Sequence, residues 1–452
     1  MKILQVIHTF PPISQAGSEI YTFNLSKELA KHHELFVAYR VADANRPEYD
    51  VQRGKYEGLG IWTINNTFRN FKSFEDTYRN DEIAARFGKF LDEIRPDVVH
   101  FQHVTCLSTT CVHEAKKRKI PVVFTLHDYW LICPRGQFVK RDLTLSEEQD
   151  DVSCVQCMAY QLEIEGGAKK VTELLSKLPP KFSNRESIIN SAKRAMSRFS
   201  ARQFFSRQRK GLAQIRERKR HIHEMCNMVD LFISPSQFLI GKFKEFGISE
   251  SKMVFSDNGF DLKPFTNVQK IHSEKIRFGY VGSLIPTKGI HVLIDAFNGI
   301  TDPRAELHIW GKDIGYDGVN NYGEYLNGLV KNPVIHLHGE YANSRIAEVL
   351  AGIDVLVVPS IWYENSPLTI HEAFMAHIPL IVSGIGGMAE LIQDGVNGLH
   401  FRMGDAEDLK NTMNRLLERR ELIAEMAFRA PKVKTIEENC TEILAVYERV
   451  KK

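Results

Sequence analysis

The stretch SIWYENSPLTIHE, residues 360–372, is the most informative part of the chain. Its two acids, Glu364 and Glu372, have seven residues between them. Those residues predict a helix start, with Ser366 as the N-cap and Pro367 at the first helical position. Such a start leaves backbone N–H groups free for phosphate, while carboxylates beside it can accept hydrogen bonds from sugar hydroxyls. The stretch therefore predicts a nucleotide-sugar site.

The surroundings favour this interpretation over two ordinary solvated glutamates. The apolar run AGIDVLVVPS (351–360) predicts a buried strand directly before the stretch, and HIPLIVS (377–383) predicts another after it. The second strand runs into a glycine loop at 384–387. Open α/β sheets bind ligands at the carboxyl ends of their strands. Two neighbouring loops are therefore suited to an anion or a ribose.

Composition indicates a globular protein with sizeable cores. The 452 residues are 43% hydrophobic and 25% charged, which allows roughly two or three domains. No run approaches about 18 apolar residues, so no membrane span is predicted. The start MKILQVIHTFPP lacks the apolar region of a signal peptide. Seven cysteines in such a chain favour a reducing cytoplasm over a disulfide framework. The expected location is therefore cytoplasmic, with peripheral contact at the inner face of the cytoplasmic membrane as a further expectation.

Strand-like and helix-like runs alternate, which predicts an α/β fold with parallel sheets covered on both faces. The linker near 262–272 suggests two Rossmann-like domains facing a cleft. We predict an N-terminal domain over 1–262, with a basic helical insertion at about 140–226. A C-terminal domain follows over 263–434, and a last helix over 435–452 is expected to pack back on the N-terminal domain.

Three further loops follow predicted strands. GSLIPTKG (282–289) offers backbone N–H groups and the Lys288 ammonium, which could neutralise a diphosphate, although the loop is not a P-loop. PPISQAGSE closes with Gly17, where a ligand can approach the backbone. His127 follows the apolar run PVVFTL. For Lys288 and His127 the alternatives are a solvated helix-end lysine and a packed histidine.

Taken in order, several segments resemble the retaining glycosyltransferases of the GT-B fold, a family that includes bacterial mannosyl- and glucosyltransferases. The segments are PPISQAGSE, TLHDYW, PSQFL, NGFD, YVGSLIPTKG, ENSPLTIHEA and DGVNGL, and they span nearly the whole chain. The resemblance implies transfer of a sugar from a nucleoside diphosphate-sugar to a carbohydrate or lipid-linked acceptor, in surface polysaccharide or glycolipid assembly. No nucleic-acid partner is expected.

The resemblance also implies roles for matching residues. Glu372 would bind the ribose and Glu364 the donor sugar, while Lys288 would hold the diphosphate and His127 would lie near the anomeric carbon. The implied donor-binding set is Gly17, Ser283, Lys288, Glu364, Asn365, Ser366, Pro367, Leu368 and Glu372, and the implied catalytic set is His127, Lys288 and Glu364. Many relatives carry an arginine where this chain has Ser283, so Lys288 would supply more of the charge.

The mechanism implied by the family is front-face attack, in which the leaving phosphate helps to deprotonate the acceptor. No enzyme nucleophile is then needed. The sequence contains no Asp-x-Asp motif, so no catalytic metal or other catalytic cofactor is expected. Two alternatives stay open: a sugar-nucleotide epimerase or hydrolase, and a non-catalytic nucleotide-sugar-binding protein.

Two features lie outside this site. Between residues 168 and 220 there are 16 Lys or Arg against three acids. Within this basic segment, residues 191–220 predict a basic amphipathic helix that could bind anionic lipid. The alternative is an insertion that packs its apolar face on the first domain.

The second feature is a set of cysteines. Cys133, Cys154 and Cys157 have the spacing of a structural zinc site, which normally takes four ligands. Relatives with a similar segment often carry four cysteines, so the resemblance implies that Ser146 stands where one is lost. Cys106, Cys111 or a nearby histidine could also complete the set. Free thiols in a buried loop are the alternative.

Overall fold

The computed structural model describes residues 1–147, 150–159, 161–162, 201–266, 268–317 and 319–451, and over 201–207 it describes the backbone alone. The chain forms two α/β domains, each with one mainly parallel sheet. The predicted fold class is therefore confirmed. In the part of the chain that is described, no helix has the length and apolar character needed to cross a membrane.

The N-terminal sheet has the strand order β3-β4-β2-β1-β5-β6-β7-β8. Its strands are β1 (Lys2–Ile7), β2 (Glu34–Val41), β3 (Val51–Tyr56), β4 (Leu59–Asn65), β5 (Val98–Phe101), β6 (Val122–Thr125), β7 (Leu231–Ser234) and β8 (Met253–Phe255). Only the β3–β4 pair is antiparallel among these described strands. The central strands are buried on both faces, as their continuous apolar sequences predict.

Helices cover both faces of this sheet. They are α1 (Gly17–Leu29), α2 (Asp81–Ile94), α3 (Thr110–Lys117), α4 (Asp151–Cys157), α5 (Ala201–Met228) and α6 (Gln237–Glu245). Apolar side chains of α2 and α3 pack on one face, and those of α1 pack on the other. The loops after β1, β5 and β6 consequently meet at one edge of the domain.

The C-terminal sheet is parallel throughout, in the order β11-β10-β9-β12-β13-β14. Its strands are β9 (Ile276–Val281), β10 (Ala305–Trp310), β11 (Ile335–Gly339), β12 (Val355–Val358), β13 (Leu380–Ser383) and β14 (Gly398–Phe401). Its helices are α7 (Ile290–Asn298), α8 (Tyr322–Leu329), α9 (Ile346–Ala351), α10 (Leu368–Met375), α11 (Gly386–Leu391), α12 (Ala406–Glu418) and α13 (Glu421–Phe428). The loop after β12 carries Glu364, and the helix that follows it, α10, carries Glu372.

The chain passes between the domains twice, and the two crossings lie side by side. Phe260 N donates to Lys434 O (3.0 Å), and Ile436 N donates to Phe260 O (2.9 Å). A Cβ on Gly259 would lie 2.5 Å from Asn439 Cβ, so only glycine fits there. The last helix, α14 (Ile436–Lys451), then packs its apolar side chains into the core of the N-terminal domain.

The described part of the basic segment packs on the N-terminal domain. Arg218, on α5, is fully buried and donates to the carbonyl oxygens of Trp130 and Leu131. Lys219 and Arg216 both pair with Asp151. This packing corresponds to the alternative given above for an insertion. Residues 191–200, the first third of the predicted lipid-binding helix, lie outside the described residues.

Candidate active site

Glu364 lies in the loop after β12 and is held through one carboxylate oxygen. Its Oε1 accepts from Ser360 Oγ (2.7 Å), Trp362 Nε1 (2.9 Å) and Lys288 Nζ (2.6 Å). The side chain is buried, and the ion pair with Lys288 offsets part of the cost of burying its charge. Oε2 has no hydrogen-bond partner in the described part of the chain, which leaves it for a ligand hydroxyl.

Lys288 ends the short 3₁₀ turn Pro286–Lys288, between β9 and α7. The next residue, Gly289, has φ +70°, and a Cβ there would lie 1.9 Å from Pro359 O. Glycine therefore lets the Lys288 turn approach the loop of Glu364. The Lys288 ammonium also lies 5.8 Å from the centre of the Trp362 ring. An incoming diphosphate would compete with Glu364 for this cation.

Ser283, which the family resemblance implies replaces an arginine, lies in the same loop as Lys288. Its backbone oxygen accepts from Tyr280 Oη (2.8 Å), which fixes the turn after β9. A serine adds no positive charge at this position. Within the residues described, Lys288 is therefore the positively charged side chain of this loop that contacts the loop of Glu364.

The helix after Glu364 begins one residue later than predicted. α10 starts at Leu368, with Pro367 in extended conformation as its N-cap. Ser366 is not the cap, because its Oγ donates to Asp257 Oδ1 (2.8 Å) and lies 2.9 Å from His371 Nε2. The N-cap prediction is wrong because the Ser366 hydroxyl bonds these two side chains and not a backbone N–H of the first helical turn.

The start of α10 stays open to an anion. No side chain caps it, so the first backbone N–H groups, including those of Leu368 and Thr369, lack the partners that a capped helix has. A Cβ on Gly17 would lie 3.5 Å from Leu368 Cδ1. The loop before α1 therefore faces the start of α10 across the cleft, as a shared phosphate site requires.

The carboxylate of Glu372, one turn into α10, has neither a hydrogen bond nor an ion pair within the described residues. Burial raises the pKa of its carboxyl to about 7. The side chain is close enough to Tyr341 for its charge to raise the pKa of that phenol, although burial has the larger effect. A desolvated carboxylate without a partner is costly, and ribose hydroxyls would supply the missing hydrogen bonds.

His127 follows β6 and lies beside the loop of Glu364. Its Nε2 is 2.7 Å from Gln102 Oε1, and its ring meets Tyr21 edge to face. Burial, assisted by the neighbouring His103, lowers the pKa of His127 to about 3, so the imidazole is neutral at pH 7. Leu126 O, one residue earlier, accepts from Asn365 Nδ2 (2.9 Å).

Asn365 links the two domains rather than leaving its amide free. Besides its bond to Leu126, its Oδ1 accepts from Ser236 Oγ (2.5 Å). Both partners belong to the N-terminal domain, so the residue predicted to bind the donor also ties the donor loop to the opposite domain. The sequence predicts Asn365 in the site and gives PSQFL only as part of the family resemblance, and no pattern in it pairs the two.

The three predicted zinc ligands come together without forming a metal site. Cys133, Cys154 and Cys157 line one cavity of about 20 Å³, together with Ser146. In the ranges that the structure describes, no three histidine, cysteine, aspartate or glutamate side chains are arranged to hold a metal ion. The geometry therefore does not fit zinc as it stands, and the zinc stays a prediction that elemental analysis would test.

Comparison with known families gives two matches that together cover most of the chain. The model described as "Glycosyl transferases group 1" matches residues 263–433, in the C-terminal domain. The model described as "Glycosyltransferase Family 4" matches residues 16–148, in the N-terminal domain. Residues 149–262 lie between the two matches and include β7 and β8 of the N-terminal sheet.

Individual proteins agree with these matches. A GDP-mannose-dependent alpha-mannosyltransferase of Corynebacterium glutamicum is 27% identical over 51% of this chain and 54% of its own length. A putative colanic acid biosynthesis glycosyltransferase of Salmonella typhimurium is 26% identical over 40% of this chain and 46% of its own length. The chain thus spans about half the length of these curated relatives.

Several solved structures match nearly the whole chain. The crystal structure of HepE from Anabaena, in complex with UDP and glucose, covers 99% of both chains with a TM-score of 0.65. The two sequences are only 17% identical, so this likeness shows the fold alone.

Proposed function

Since the chain belongs to the GT-B glycosyltransferases, we propose that it transfers a sugar from a nucleoside diphosphate-sugar to an acceptor hydroxyl with retention at the anomeric carbon. The observation that carries this proposal is the arrangement of charges around the loop after β12. Lys288, the open start of α10 and the unpartnered Glu372 lie along one side of the cleft. The ammonium and the helix start are suited to the charge of a diphosphate, and the carboxylate is suited to the hydroxyls of a ribose.

The proposed chemistry rests on stabilising the leaving group. Negative charge builds on the phosphate oxygens as the bond to the anomeric carbon breaks. The first N–H groups of α10 are held in place before the reaction, and the Lys288 ammonium can leave Glu364 for the phosphate, so both stabilise that charge. Attack from the same face would let the leaving phosphate take the acceptor proton.

Glu364 has a positioning role in this proposal. Its Oε1 is already occupied by three donors, whereas Oε2 is available to a sugar hydroxyl. His127 is neutral, so it can donate to or accept from the donor sugar without adding charge near the anomeric carbon. Neither side chain needs to form a covalent intermediate.

The experiment is a screen of nucleoside diphosphates and their sugars, starting with UDP-glucose and GDP-mannose. We expect a thermal shift with one nucleoside diphosphate and consumption of its sugar when an acceptor is added. Proton NMR of the first product should show the anomeric configuration of the donor. Inverted product would refute retention, and isomerised donor or binding without any turnover would refute transfer.

The cellular role we propose is assembly of a surface polysaccharide or glycolipid at the cytoplasmic face of a membrane. The Salmonella relative is named for colanic acid biosynthesis, and the exposed Arg209 and Lys210 extend the basic segment toward 191–200. Co-sedimentation with phosphatidylglycerol vesicles should exceed that with neutral phosphatidylcholine vesicles. Equal binding to the two would end the proposal of a membrane contact through 191–220.

A further inference from the structure

We propose that Asp128 binds the acceptor, and that the group bound there is an uncharged polyol rather than a phosphorylated one. This inference rests on the proposed function, because an acceptor exists only if the protein is a transferase. It assigns a substrate class to the N-terminal side of the cleft, where the proposed mechanism uses only His127 and the backbone at Gly17.

Asp128 is a partly exposed carboxylate fixed by a buried partner. Its Oδ1 accepts from His103 Nε2 (3.2 Å) and from Trp130 N (2.8 Å). His103 Nδ1 accepts from Thr105 N (3.0 Å), which places the imidazole proton on Nε2, facing Asp128. The Asp128 side chain is 33% exposed and that of His103 only 8%. Oδ2 has no hydrogen-bond partner in the described part of the chain, so it can accept from a ligand hydroxyl.

A second pair of the same kind lies against the first. His8 Nε2 is 3.4 Å from Glu19 Oε1, and the side chains are 24% and 2% exposed. Ser14 Oγ (2.9 Å) and Ser18 Oγ (2.7 Å) also donate to Glu19. The rings of His8 and His103 are 4.8 Å apart, edge to face. Each exposed group is thus backed by a buried one of complementary chemistry, and the two pairs form one continuous wall.

The wall carries negative charge, and among the described residues no lysine or arginine pairs with Glu19 or Asp128. Burial alone would raise the pKa of Glu19, but the His8 and serine hydrogen bonds outweigh it and hold that pKa at about 2. The pKa of Asp128 is likewise lowered despite burial, chiefly by His103. The nearby Arg218 lies 5.1 Å from the Trp130 ring, fully buried and turned to backbone carbonyls. A phosphate here would meet carboxylates, whereas an alcohol would donate to Oδ2.

The wall lies where an acceptor has to be. Asp128 is next to His127, and Leu126 is hydrogen-bonded to Asn365 of the donor loop. Glu19 belongs to the first turn of α1, whose Gly17 faces the start of α10. β1, β5 and β6 bring His8, His103 and Asp128 to the same edge of the sheet. A hydroxyl on Asp128 therefore faces the proposed donor site.

The test uses the full-length protein with the donor found in the screen above. The probes are methyl hexopyranosides and the same sugars as 6-phosphates, added to a donor-consumption assay in which water is the competing acceptor. We expect the neutral sugars to change donor consumption at concentrations at least tenfold lower than the phosphates. Equal or better action of the phosphates, or no action of either class, would overturn the inference.

Variants separate acceptor binding from a structural effect. Asp128→Asn keeps the shape and removes the charge, so acceptor kcat/KM should fall at least tenfold, and the preference for neutral over phosphorylated sugar should fall at least tenfold too. Donor hydrolysis and the thermal shift with nucleoside diphosphate should stay within twofold and 1 °C of the unsubstituted protein, on the order of assay error. Equal losses of hydrolysis and transfer would instead assign Asp128 to the donor.

The control is Glu245→Gln, an exposed acid on α6 whose ion pair in the described part of the chain is with Lys242, and it should change neither ratio. The two proposals can fail separately. If no nucleoside diphosphate-sugar is consumed at all, the proposed function fails. If donor is consumed but neutral sugars are not preferred, only the assignment of Asp128 fails.

Discussion

The two sides of the cleft solve the same problem, holding a polar ligand, in opposite ways. On the C-terminal side the groups are incomplete: Glu372 has no partner within the described residues, the start of α10 is uncapped, and Lys288 has only a carboxylate that a ligand could replace. On the N-terminal side each carboxylate already has a histidine partner inside the protein, Glu19 with His8 and Asp128 with His103.

This difference indicates which side gains more from its ligand. Unsatisfied buried groups are costly until a ligand completes them, so binding at the C-terminal side should have the larger free energy. Paired groups bind only through the edge that stays free, which gives selectivity with less affinity. We therefore expect the donor to bind more tightly than the acceptor, and substitutions on the donor side to have the larger effects.

The largest effect is expected at Lys288. Lys288→Ala removes the cation from the leaving group, and kcat should fall about 100- to 1,000-fold, the usual cost of one such donor. Lys312→Ala, which removes an exposed lysine paired with Glu340, is the matched control and should be close to neutral. Steady-state kinetics with the identified donor provides the measurement.

Stability has to be separated from chemistry at this position, because Lys288→Ala leaves the buried carboxylate of Glu364 unpaired. The double variant Lys288→Ala, Glu364→Gln removes both charges and should recover much of the lost thermal stability. Its turnover should stay low. Recovery of turnover together with stability would show that Lys288 acts through folding and not on the leaving group.

The turn beside Lys288 offers the next test. Gly289→Ala combines a left-handed φ with a Cβ 1.9 Å from Pro359 O, so we expect a loss of about 3 kcal/mol or more in unfolding free energy. Gly395→Ala is the matched control, because its φ is +73° and a Cβ there would meet nothing within 4 Å. It should lose only about 1–2 kcal/mol. Equal losses in urea denaturation would show that the contact with Pro359 is easily relieved.

Glu372 provides a test through pH. Burial raises the pKa of its carboxyl from the ordinary 4.5 to about 7. Between those values the unfolded chain ionises before the folded one, so this group makes the protein less stable as pH rises from 4.5 to 7, with no further change above. Glu372→Gln should therefore unfold at a higher temperature than the unsubstituted protein at pH 8, and at a similar one near pH 4.

The same substitution should weaken nucleotide recognition. If Glu372 binds ribose, the unsubstituted protein should prefer the ribonucleoside diphosphate over its 2′-deoxy form by roughly tenfold, as expected for a hydrogen bond to a charged group. Glu372→Gln should reduce that preference. Calorimetry with UDP and 2′-deoxy-UDP, or the matching pair for another base, would show it. An unchanged preference would place the ribose elsewhere.

Particular residues show how far the sequence could predict this molecule. The alternation of strands and helices and the segments of the loops after β1, β6, β9 and β12 were enough for the fold and for the family. Sequence patterns do not predict the β3–β4 hairpin, because β3 is an exposed edge strand without apolar alternation. The predicted cap at Ser366 is wrong because the serine hydroxyl donates to Asp257, a residue far away in sequence. Pairings such as Asp128 with His103 depend on which strand ends become neighbours, and local patterns do not contain that information.

The smallest effect is expected where the two sides of the cleft touch directly. Arg135 Nη1 of the N-terminal domain bonds Asp317 Oδ2 of the C-terminal domain (2.9 Å), and Asp317 is 36% exposed. Because exposed ion pairs contribute about 0–1 kcal/mol, Asp317→Asn should change donor KM less than about threefold. The change in KM should become smaller still in about 0.5 M salt, because that ionic strength screens charges more than the physiological value of roughly 0.15 M. A larger or salt-independent change in KM would mean that this contact controls closure of the cleft, and that the two sides do not act as separately as their chemistry suggests.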